Sequence, residues 1–387
     1  MISTGALKIL VLAHDLGDAA VARRVAMLRE GGAAVTIAGF RRSAEPIQLV
    51  AGCPAVDFGQ TYNAGFAQRI WAVMREVSLL ARHRALFAAA DIIVARNLEM
   101  LAIAVRGRSL CKPKPSLIYE SLDIHRLLLR QDLIGAALRE LEGRLAQHAS
   151  ALLTSSPAFI SHYFSGLSKI RLPIRLVENK VLDQGGALGE AVEPPRREGP
   201  VWTIGWFGVI RCRKSLEILS DLVRQSAGTV EVIIRGRPAL DQFEDFHKST
   251  TSVPGLRFLG PYKNPDDLAE MYRSVHFTWA IDMFEEGLNS SWLLPNRLYE
   301  GGLYGSVPIA IDSVETGRFL RRLGIGVTLA EPLGEALSQF FKALTPQQYQ
   351  KLEQTLTLLP RTTWVYGSED CKALVHYLGM TVGGAHG

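Results

Sequence analysis

The sequence predicts an α/β protein built from two doubly wound, Rossmann-like domains. Short apolar runs typical of buried strands alternate with helix-like segments through the first half of the chain. A stretch rich in Gly, Pro and charge at 183–200 interrupts this alternation, and a second alternating series of similar length follows it. The 387 residues, of which 48% are hydrophobic, allow each of two domains to bury its own core.

The first half begins with a βαβ unit. The apolar run 8–13 predicts a strand, a polar turn follows at 14–18, and apolar residues at helical spacing then predict a helix that the glycines at 31–32 end. The run 33–40 predicts the next strand, so this unit favours a parallel sheet with right-handed crossovers. Further buried strands are predicted at 90–97, 116–123 and 150–154.

The second half repeats the pattern. Strands are predicted at 201–208, 230–236, 276–282 and 306–311, and helices at 214–226, 265–274 and 296–305. We therefore predict an N-terminal domain at 1–182, a linker at 183–200 and a second domain at 201–360. The remaining residues, 361–387, predict a helix that packs back towards the N-terminal domain.

The composition and the apolar runs of the sequence limit the cellular compartments and the classes of function that we expect. Cys53, Cys111, Cys212 and Cys371 lie far apart without a CxxC pair, which argues against a zinc site or a disulfide framework and favours a reducing cytoplasm. The N-terminal apolar run lacks the cleavage site of a signal peptide, and no apolar run reaches the length of a membrane span. We expect a cytoplasmic protein, with peripheral contact to the inner face of the plasma membrane.

Charge is unevenly spread along the chain. Residues 1–180 hold 23 Lys and Arg against 14 Asp and Glu, a surplus of +9, while the rest hold 20 against 24. The two parts sum to the net charge of +5. This asymmetry predicts that the first domain meets an anionic surface or ligand.

Two neighbouring strand ends in the second half carry basic residues. Gly208 and Lys214 belong to a segment in which glycine lets a ligand approach the backbone and a helix N-terminus offers N–H groups to a phosphate. Arg211 and Arg213 add positive charge there, and Arg235 lies at the end of the next predicted strand. The alternative is a tight turn with solvated surface charges.

The segment around Glu300 combines a helix start with an apolar strand. Pro295 suits the start of a helix because its missing N–H costs nothing there. A carboxylate in the first turns, Glu300, can accept two ribose hydroxyls, and Asn296 and Arg297 suit a phosphate or a sugar hydroxyl. The alternative is an ordinary carboxylate favoured by the helix dipole.

Because of these motifs, the chain resembles the GT-B glycosyltransferases of the large family-four type. The resemblance rests on LYEGGLYGSVPIAI, on FGVIRCRKS, on the N-terminal AHDLGDAAVARRVAMLREGGAAVTIAGF and on DIIVARNLEM. It implies two Rossmann-like domains facing a central cleft, a nucleotide-sugar donor as substrate, and no metal or other cofactor. It also implies that Glu300 binds the ribose and that Lys214 binds the diphosphate.

The chain departs from the family pattern at two positions. Val209 stands where many relatives have arginine, and Trp292 stands where the first glutamate of the family's spaced pair falls. We therefore expect the donor sugar to be held by residues of the segment before Trp292, namely Asp282, Glu285, Glu286, Asn289 or Ser290. This segment is similar to the bacterial exopolysaccharide branch, such as succinoglycan biosynthesis glycosyltransferases.

The predicted acceptor side lies in the first half. Asp123 ends a predicted strand and His125 follows it, and a positioned Asp or His can remove the proton of an attacking hydroxyl. If the enzyme inverts the anomeric centre, Asp123 is the preferred base; if it retains, either residue orients a substrate instead. The alternative is that Asp123 caps the next helix. The further candidates are His14, Asp15, Arg23 and Glu99.

The segment 66–90 mixes apolar and arginine side chains at the spacing of a basic amphipathic helix. Such a helix can lie on an anionic membrane, although an apolar face in the domain core with arginines in water is the commoner arrangement. A lipid-linked acceptor would explain membrane contact.

The leading hypothesis is sugar transfer from a nucleotide sugar, such as a UDP-sugar, to a lipid-linked oligosaccharide in exopolysaccharide biosynthesis. The alternatives are a sugar-nucleotide epimerase of the same fold and a non-catalytic nucleotide-sugar-binding subunit. A nicotinamide-dependent oxidoreductase is disfavoured because no G-x-G-x-x-G follows the first strand. Nucleic-acid binding is unsupported because the basic residues come without aromatic stacking motifs.

Overall fold

The chain divides into two compact units. The structure, a computed structural model, describes residues 5–61, 66–186, 188 and 201–383. The first unit comprises Met1–Glu178, Leu182–Leu188 and Tyr366–Gly387, and the second comprises Asn179–Val181 and Gly189–Val365. Most of the predicted linker, residue 187 and residues 189–200, lies outside the described residues.

Parallel strands dominate the first unit. Its main sheet has the order β3-β4-β2-β1-β5-β6-β7-β8, with only the β3–β4 pair antiparallel among the pairings of the described residues. The two-residue strand β9 lies outside this sheet, with Val181 in the second unit and Leu182 in the first. The strands are β1 (Lys8–Ala13), β2 (Ala34–Arg41), β3 (Leu49–Val50), β4 (Cys53–Gln60), β5 (Ile92–Arg96), β6 (Ser116–Ser121), β7 (Ala151–Thr154), β8 (Ile174–Leu176) and β9 (Val181–Leu182).

The apolar runs fold as strands because both faces of this sheet are covered. Residues 9–13 of β1 and all of β5 and β6 are buried, as expected of parallel strands between two helical layers. Strand β4 was not predicted, and its residues are mostly half-buried or exposed, so it lacks the continuous apolar run. The helices of this unit that precede the second unit are α1 (Ala19–Glu30), α2 (Phe66–Leu79), α3 (Arg84–Ala88), α4 (Asn97–Ser109) and α5 (Leu133–Ala146).

The prediction of a single amphipathic helix at 66–90 is wrong. The segment forms α2, a 3-10 turn over Leu80–His83 and then α3. Leu80 is fully buried at the turn, and the buried carboxylate of Glu76 accepts a 2.7 Å hydrogen bond from Arg82, which holds the chain in the tighter geometry. The side chains of residues 66–72 lie outside the described part of the chain.

The second unit is a six-stranded parallel sheet of order β12-β11-β10-β13-β14-β15. Its central strand β10 continues past Gly208 to Ile210, so the strand end predicted at 208 is two residues too early. The last strand of the chain, β16, pairs with β9. The strands are β10 (Trp202–Ile210), β11 (Val230–Pro238), β12 (Leu256–Phe258), β13 (Phe277–Trp279), β14 (Val307–Ile311), β15 (Val327–Leu329) and β16 (Val365–Tyr366).

Helices cover this second sheet, and one final helix belongs to the first unit. The last helix, α14, lies within Tyr366–Gly387, and its buried Leu374 and Leu378 join the core cluster that contains Val25 of α1. The helices are α6 (Arg213–Gln225), α7 (Phe246–Thr251), α8 (Leu268–Arg273), α9 (Asn289–Trp292), α10 (Asn296–Leu303), α11 (Glu315–Leu323), α12 (Leu333–Ala343), α13 (Pro346–Thr357) and α14 (Ser368–Gly383).

Candidate functional site

The sheet order of the second unit predicts where a ligand binds. From β10 the chain runs outward to β11 and β12, then returns to β13 on the other side of β10 and continues to β14 and β15. The loops after β10 and β13 therefore diverge from a topological switch point, where open parallel sheets bind their ligands. The predicted donor-binding residues lie on the elements that border these two loops. They are Gly208 of β10, Lys214 of α6, Arg235 of β11, Asn289 of α9, and Asn296, Arg297 and Glu300 of α10.

Two glycines bring the backbones of β10 and β11 together near this edge. Gly208 and Gly236 are register partners, with φ values of 114° and 143°. A Cβ on Gly236 would lie 1.8 Å from the carbonyl oxygen of Gly208, so no other residue fits there. The sequence predicted close backbone approach at Gly208; its partner Gly236 was not singled out.

Glu300 is buried and oriented by a tyrosine. It lies in α10, and its Oε2 accepts a 2.6 Å hydrogen bond from the hydroxyl of Tyr272 in α8, while Asn264 Nδ2 lies 3.4 Å from Oε1. Burial and then the Glu300 carboxylate raise the pKa of Tyr272 well above its ordinary value. The phenol therefore stays protonated and acts as a donor, which fixes the direction of the carboxylate.

Tyr262 connects Glu300 with the basic residues of the site. Burial raises the pKa of Tyr262, the Glu300 carboxylate raises it further, and Arg297 and Arg235 oppose both effects. Glu300, Arg297 and Arg235 therefore all lie within electrostatic reach of the Tyr262 hydroxyl. The structure thus brings together Arg235, Arg297 and Glu300, three of the residues that the sequence singled out.

Asp282 holds two arginines at the switch point. Its Oδ2 lies 3.4 Å from Arg211 Nη2 and 3.9 Å from Arg297 Nη2, and its Oδ1 accepts hydrogen bonds from the Phe284 N–H and the Ser290 hydroxyl. Burial by itself would raise the pKa of Asp282, but the positive charges of Arg297 and Arg211 outweigh it, so the pKa is lowered. The Asp282 carboxylate is therefore ionised, and its contact with Arg211 links the loop after β13 to the loop after β10.

Two of the predicted cations have buried donor atoms that are not used. Arg297 Nη2 donates to the carbonyl of Ile281 at 2.7 Å, and Arg235 Nη2 lies 3.6 Å from Asp267. The Nε atoms of Arg297 and Arg235 are buried and have no hydrogen-bond partner among the described residues. Buried donors of this kind carry a free-energy cost that an anionic ligand would relieve.

Lys214 is paired at the surface. Its Nζ lies 2.7 and 2.8 Å from the two carboxylate oxygens of Glu286, and both side chains are 48% exposed. An exposed pair of this kind is worth little because water and salt screen it, so a diphosphate could displace Glu286 at small cost. Asn289 is buried at the start of α9, and Asn296 is exposed at the first position of α10.

Asp123 and His125 lie in the turn that follows β6 of the first unit, and both are exposed. The His125 ring accepts a 3.4 Å hydrogen bond from the Leu127 N–H through Nδ1. The alternative role of Asp123 as a helix cap is wrong, because the next helix, α5, is capped by Asp132, which accepts from the Gly135 N–H.

Sequence reasoning missed Tyr262, Asn264 and Tyr272. Each contacts or polarises Glu300 from a segment that precedes it by 28 to 38 residues, and Tyr272 occupies a buried helix position that a sequence pattern assigns to the core. No local signal distinguishes such a tyrosine. Arg211, named from the sequence as a diphosphate ligand, is at the site, whereas Arg213 is directed to Gln242 and Glu244.

Comparisons with known proteins agree with this architecture. No protein-family model matches the chain. Sucrose-phosphate synthase from Thermosynechococcus elongatus superposes with a TM-score of 0.66 at 12% identity, covering 98% of each chain. HepE from Anabaena, solved in complex with UDP and glucose, superposes with a TM-score of 0.67 at 15% identity, covering 96% of this chain and 98% of that one.

The fold is therefore the GT-B fold with two Rossmann-like domains, which confirms the fold class expected from the resemblance. Over 375 residues the chain is 47% identical to the succinoglycan biosynthesis protein ExoL of Rhizobium meliloti strain 1021, an alignment that covers 96% of this chain and 93% of that protein. The chain belongs to the family of this protein.

The described part of the chain contains neither a candidate membrane-spanning helix nor a candidate metal site. Within the ranges 5–61, 66–186, 188 and 201–383, no helix combines the length and apolar character needed to cross a membrane. In the same ranges, no group of three or more His, Cys, Asp or Glu side chains could hold a metal ion.

Proposed function

We propose that the protein transfers a sugar from a UDP-sugar to a lipid-linked saccharide in exopolysaccharide biosynthesis. The observation that carries the proposal is the Glu300 carboxylate, held by Tyr272 beside Arg235 and Arg297 at the switch point of the second unit. The relative ExoL is named for succinoglycan biosynthesis, and HepE was solved with UDP and glucose, which supports both the pathway and the nucleotide.

In this proposal the second unit binds the donor. Glu300 accepts the ribose hydroxyls, and Arg297, Arg211 and Lys214 neutralise the diphosphate next to the Gly208 backbone. As the sugar leaves, negative charge develops on the diphosphate, and these fixed cations stabilise it more than they stabilise the bound donor. Asn289 and Asn296, the first residues of α9 and α10, are proposed to hydrogen-bond the sugar. We expect the reaction to need no metal.

The acceptor side is assigned to the first unit. Asp123 and His125, exposed after β6, are proposed to contact the acceptor saccharide. The surplus of positive charge in residues 1–180 and the exposed Met74, 64% accessible on α2, support contact with anionic lipid headgroups around a lipid-linked acceptor. We propose a cytoplasmic location at the inner face of the plasma membrane.

Nucleotide binding tests the donor site directly. Titration calorimetry with UDP is expected to show binding to the wild type and about a hundredfold loss in Glu300→Gln, since two charge-assisted hydrogen bonds are weakened. The matched control is Glu231→Gln, which neutralises an exposed carboxylate paired with Arg257 and should leave UDP binding unchanged. Equal affinity of Glu300→Gln and wild type would contradict the ribose role.

Turnover separates an enzyme from a binding subunit. Labelled UDP-sugars are incubated with the protein and a lipid extract that contains the saccharide acceptors, and label in the lipid phase is counted. Transfer from a UDP-sugar, absent without protein, supports the proposal. Tight UDP binding without transfer to any acceptor would identify a non-catalytic subunit, and preferential use of ADP- or GDP-sugars would refute the UDP assignment.

A further inference from the structure

Helix α5 of the first unit buries its small and polar residues and exposes its apolar ones. Its buried positions are Gly135, Glu142, Gly143 and Ala146. Leu133, Ile134 and Leu141, by contrast, are 87%, 55% and 47% exposed. In an ordinary amphipathic helix the large apolar side chains face the core instead. An exposed apolar face of this kind is typical of a binding surface.

The exposed apolar side chains form one continuous stripe. Residues three and four positions apart lie on the same side of a helix, and these residues follow that spacing. Fourteen residues that rise about 1.5 Å each make α5 about 21 Å long, so the stripe is long and narrow. The apolar stripe of α5 consists of Leu133, Ile134, Ala137, Leu138, Leu141 and Leu145.

The inner face of α5 is held in place by a buried carboxylate. Glu142 Oε1 accepts a 2.8 Å hydrogen bond from the hydroxyl of Tyr119 on β6, and Oε2 accepts a 2.6 Å hydrogen bond from that of Tyr163. On the same face, a Cβ on Gly143 would lie 2.6 Å from the Cβ of Lys169. A rotation of α5 that buried the leucines would break both hydrogen bonds to the carboxylate, which is costly. The stripe is therefore exposed because of the way the helix is anchored.

The stripe begins at the edge of the sheet where the acceptor is proposed to bind. In a parallel sheet, the turn after a strand and the first turn of the next helix lie at the carboxyl edge, where ligands bind. The residues after β6 include Asp123, His125 and the exposed Arg126, and they lead to Leu133, the first residue of α5. The polar residues proposed for the acceptor saccharide and the start of the apolar stripe therefore share one edge of the first unit.

Helix α5 is also close to the helix that is proposed to meet the membrane. Both α2 and α5 pack against α4, so they are neighbours of the same helix. Helix α2 carries the exposed Met74, which is proposed to contact lipid headgroups. A lipid-linked acceptor that is delivered from a bilayer at α2 would therefore find the stripe in the same group of helices.

The size and the charge of the stripe favour a hydrocarbon chain over a protein or a bilayer surface. A stable protein–protein interface takes about 20–30 residues a side, and the stripe supplies six. The charges beside the stripe pair with each other, Arg130 with Asp132 and Arg144 with Glu140. They leave no surplus of positive charge along the stripe to attract anionic headgroups. A single apolar chain needs neither a large area nor a charge.

We propose that the apolar stripe of α5 binds the hydrocarbon chain of the lipid-linked acceptor. This inference rests on the proposed transfer to a lipid-linked saccharide and deepens it, because it gives the lipid part a site of its own. Contact with the chain removes Leu133, Ile134 and Leu141 from water, which favours binding. The saccharide then lies beyond the first turn of α5, towards the turn that holds Asp123 and His125.

Photolabelling of the full-length protein tests the site directly. The probe is an alkyl maltoside with a diazirine in its chain, used below its micelle concentration, and mass spectrometry locates the label. We expect the label on α5. Ile134→Gln combined with Leu141→Gln should reduce it at least tenfold, since glutamine keeps the helix but removes the apolar surface. The matched control is Leu49→Gln, which changes a 65% exposed leucine on β3 of the same unit and should leave the label unchanged.

Transfer kinetics test whether the acceptor uses this site. With saccharide lipids from a membrane extract as acceptors, the Ile134→Gln/Leu141→Gln variant should have an acceptor KM about 10- to 100-fold above that of the wild type. Its kcat, its donor KM and its Kd for UDP should not change. For the same saccharide freed of its lipid, the variant and the wild type should have equal KM values.

Several results would overturn the assignment. They are a label that the variant does not reduce, a label found only on other elements, or an equal rise of KM for the lipid-linked and the lipid-free saccharide. Loss of a dimer in the variant, measured by sedimentation velocity, would give the stripe to a second copy of the chain. Loss of flotation with vesicles that hold no acceptor would give it to the bilayer. Failure of the proposed function is distinguishable, because photolabelling requires neither UDP nor transfer.

Discussion

The hydroxyl of Tyr272 donates a 2.6 Å hydrogen bond to Oε2 of Glu300 inside the second unit. The tyrosine is fully buried and packs edge-on against Phe207 of β10, so its hydroxyl has a fixed position. This contact joins α8 to α10 and sets the direction in which the carboxylate can accept further hydrogen bonds. Tyr272 is in this sense a positioning residue for Glu300.

The Tyr272→Phe variant should therefore bind UDP more weakly. Loss of one hydrogen bond to a charged group is worth about 1.5–3 kcal/mol. With about half of that loss transmitted to the ligand, the Kd for UDP should rise about three- to tenfold. Donor KM should rise with kcat little changed. The control is Tyr163→Phe, which removes an equivalent 2.6 Å bond to the buried Glu142 in the first unit. Equal effects of both variants on UDP binding would indicate a general loss of stability.

A second prediction concerns the pair formed by Lys214 and Glu286. If Glu286 occupies the place of a phosphate next to Lys214, donor binding has to displace it. Glu286→Gln should then lower the donor KM by about two- to fivefold, and Lys214→Gln should raise it by about tenfold. Initial rates at a series of donor concentrations measure both. A Glu286→Gln variant with a raised KM would show that Glu286 binds the donor instead.

Local patterns predicted the elements of the site better than its contacts. Gly208, Arg297 and Glu300 were named because a strand end, a helix start and a following apolar strand are visible in short windows of sequence. The contact between Arg211 and Asp282 joins residues 71 positions apart, and no window contains both. Sheet order creates this contact, since β13 returns to the side of β10.

The dependence on burial and on contacts outside a short window of sequence also explains the errors in the fold prediction. Strands β1, β5 and β6 were predicted because both faces are buried, which leaves an apolar run. Strand β4 is only partly buried and gives no such run, and the break in the 66–90 segment depends on the ion pair of Glu76 with Arg82 and on the burial of Leu80. Neither Gly nor Pro marks the break, so the sequence offers no local stop signal there.

A third prediction tests membrane contact. Met74→Glu places a negative charge on the exposed side of α2 and should reduce co-flotation with vesicles of anionic phospholipid, measured at 0.1 M salt. The matched control is Leu133→Glu on α5, which is 87% exposed in the same unit. If Met74→Glu still floats with the vesicles and Leu133→Glu does not, the membrane-contacting helix is α5 and not α2. If the wild type does not float, the proposed membrane contact is wrong.

A fourth prediction follows from a buried ion triad in the first unit. Glu120 accepts hydrogen bonds from Arg24 and Arg96, the latter at 2.7 Å, and all three side chains are almost fully buried. Burial by itself would raise the pKa of Glu120, but the two arginines bring it from 4.5 down to about 2. Removing the charge with Glu120→Gln should cost about 3–5 kcal/mol at pH 7, because two buried arginines lose their counter-ion.

The sign of the pH dependence follows from the lowered pKa. A carboxylate whose pKa is lower in the folded state than in the unfolded state stabilises the folded state. This stabilisation is complete at a pH above the unfolded-state pKa of about 4.5, and it is lost as the pH falls towards the folded-state pKa of about 2. The difference in unfolding free energy between wild type and Glu120→Gln, measured by urea titration, should therefore be largest at pH 6–7 and shrink steadily between about pH 4.5 and pH 2. An equal difference at pH 7 and pH 3 would show that Glu120 acts through packing rather than through its charge.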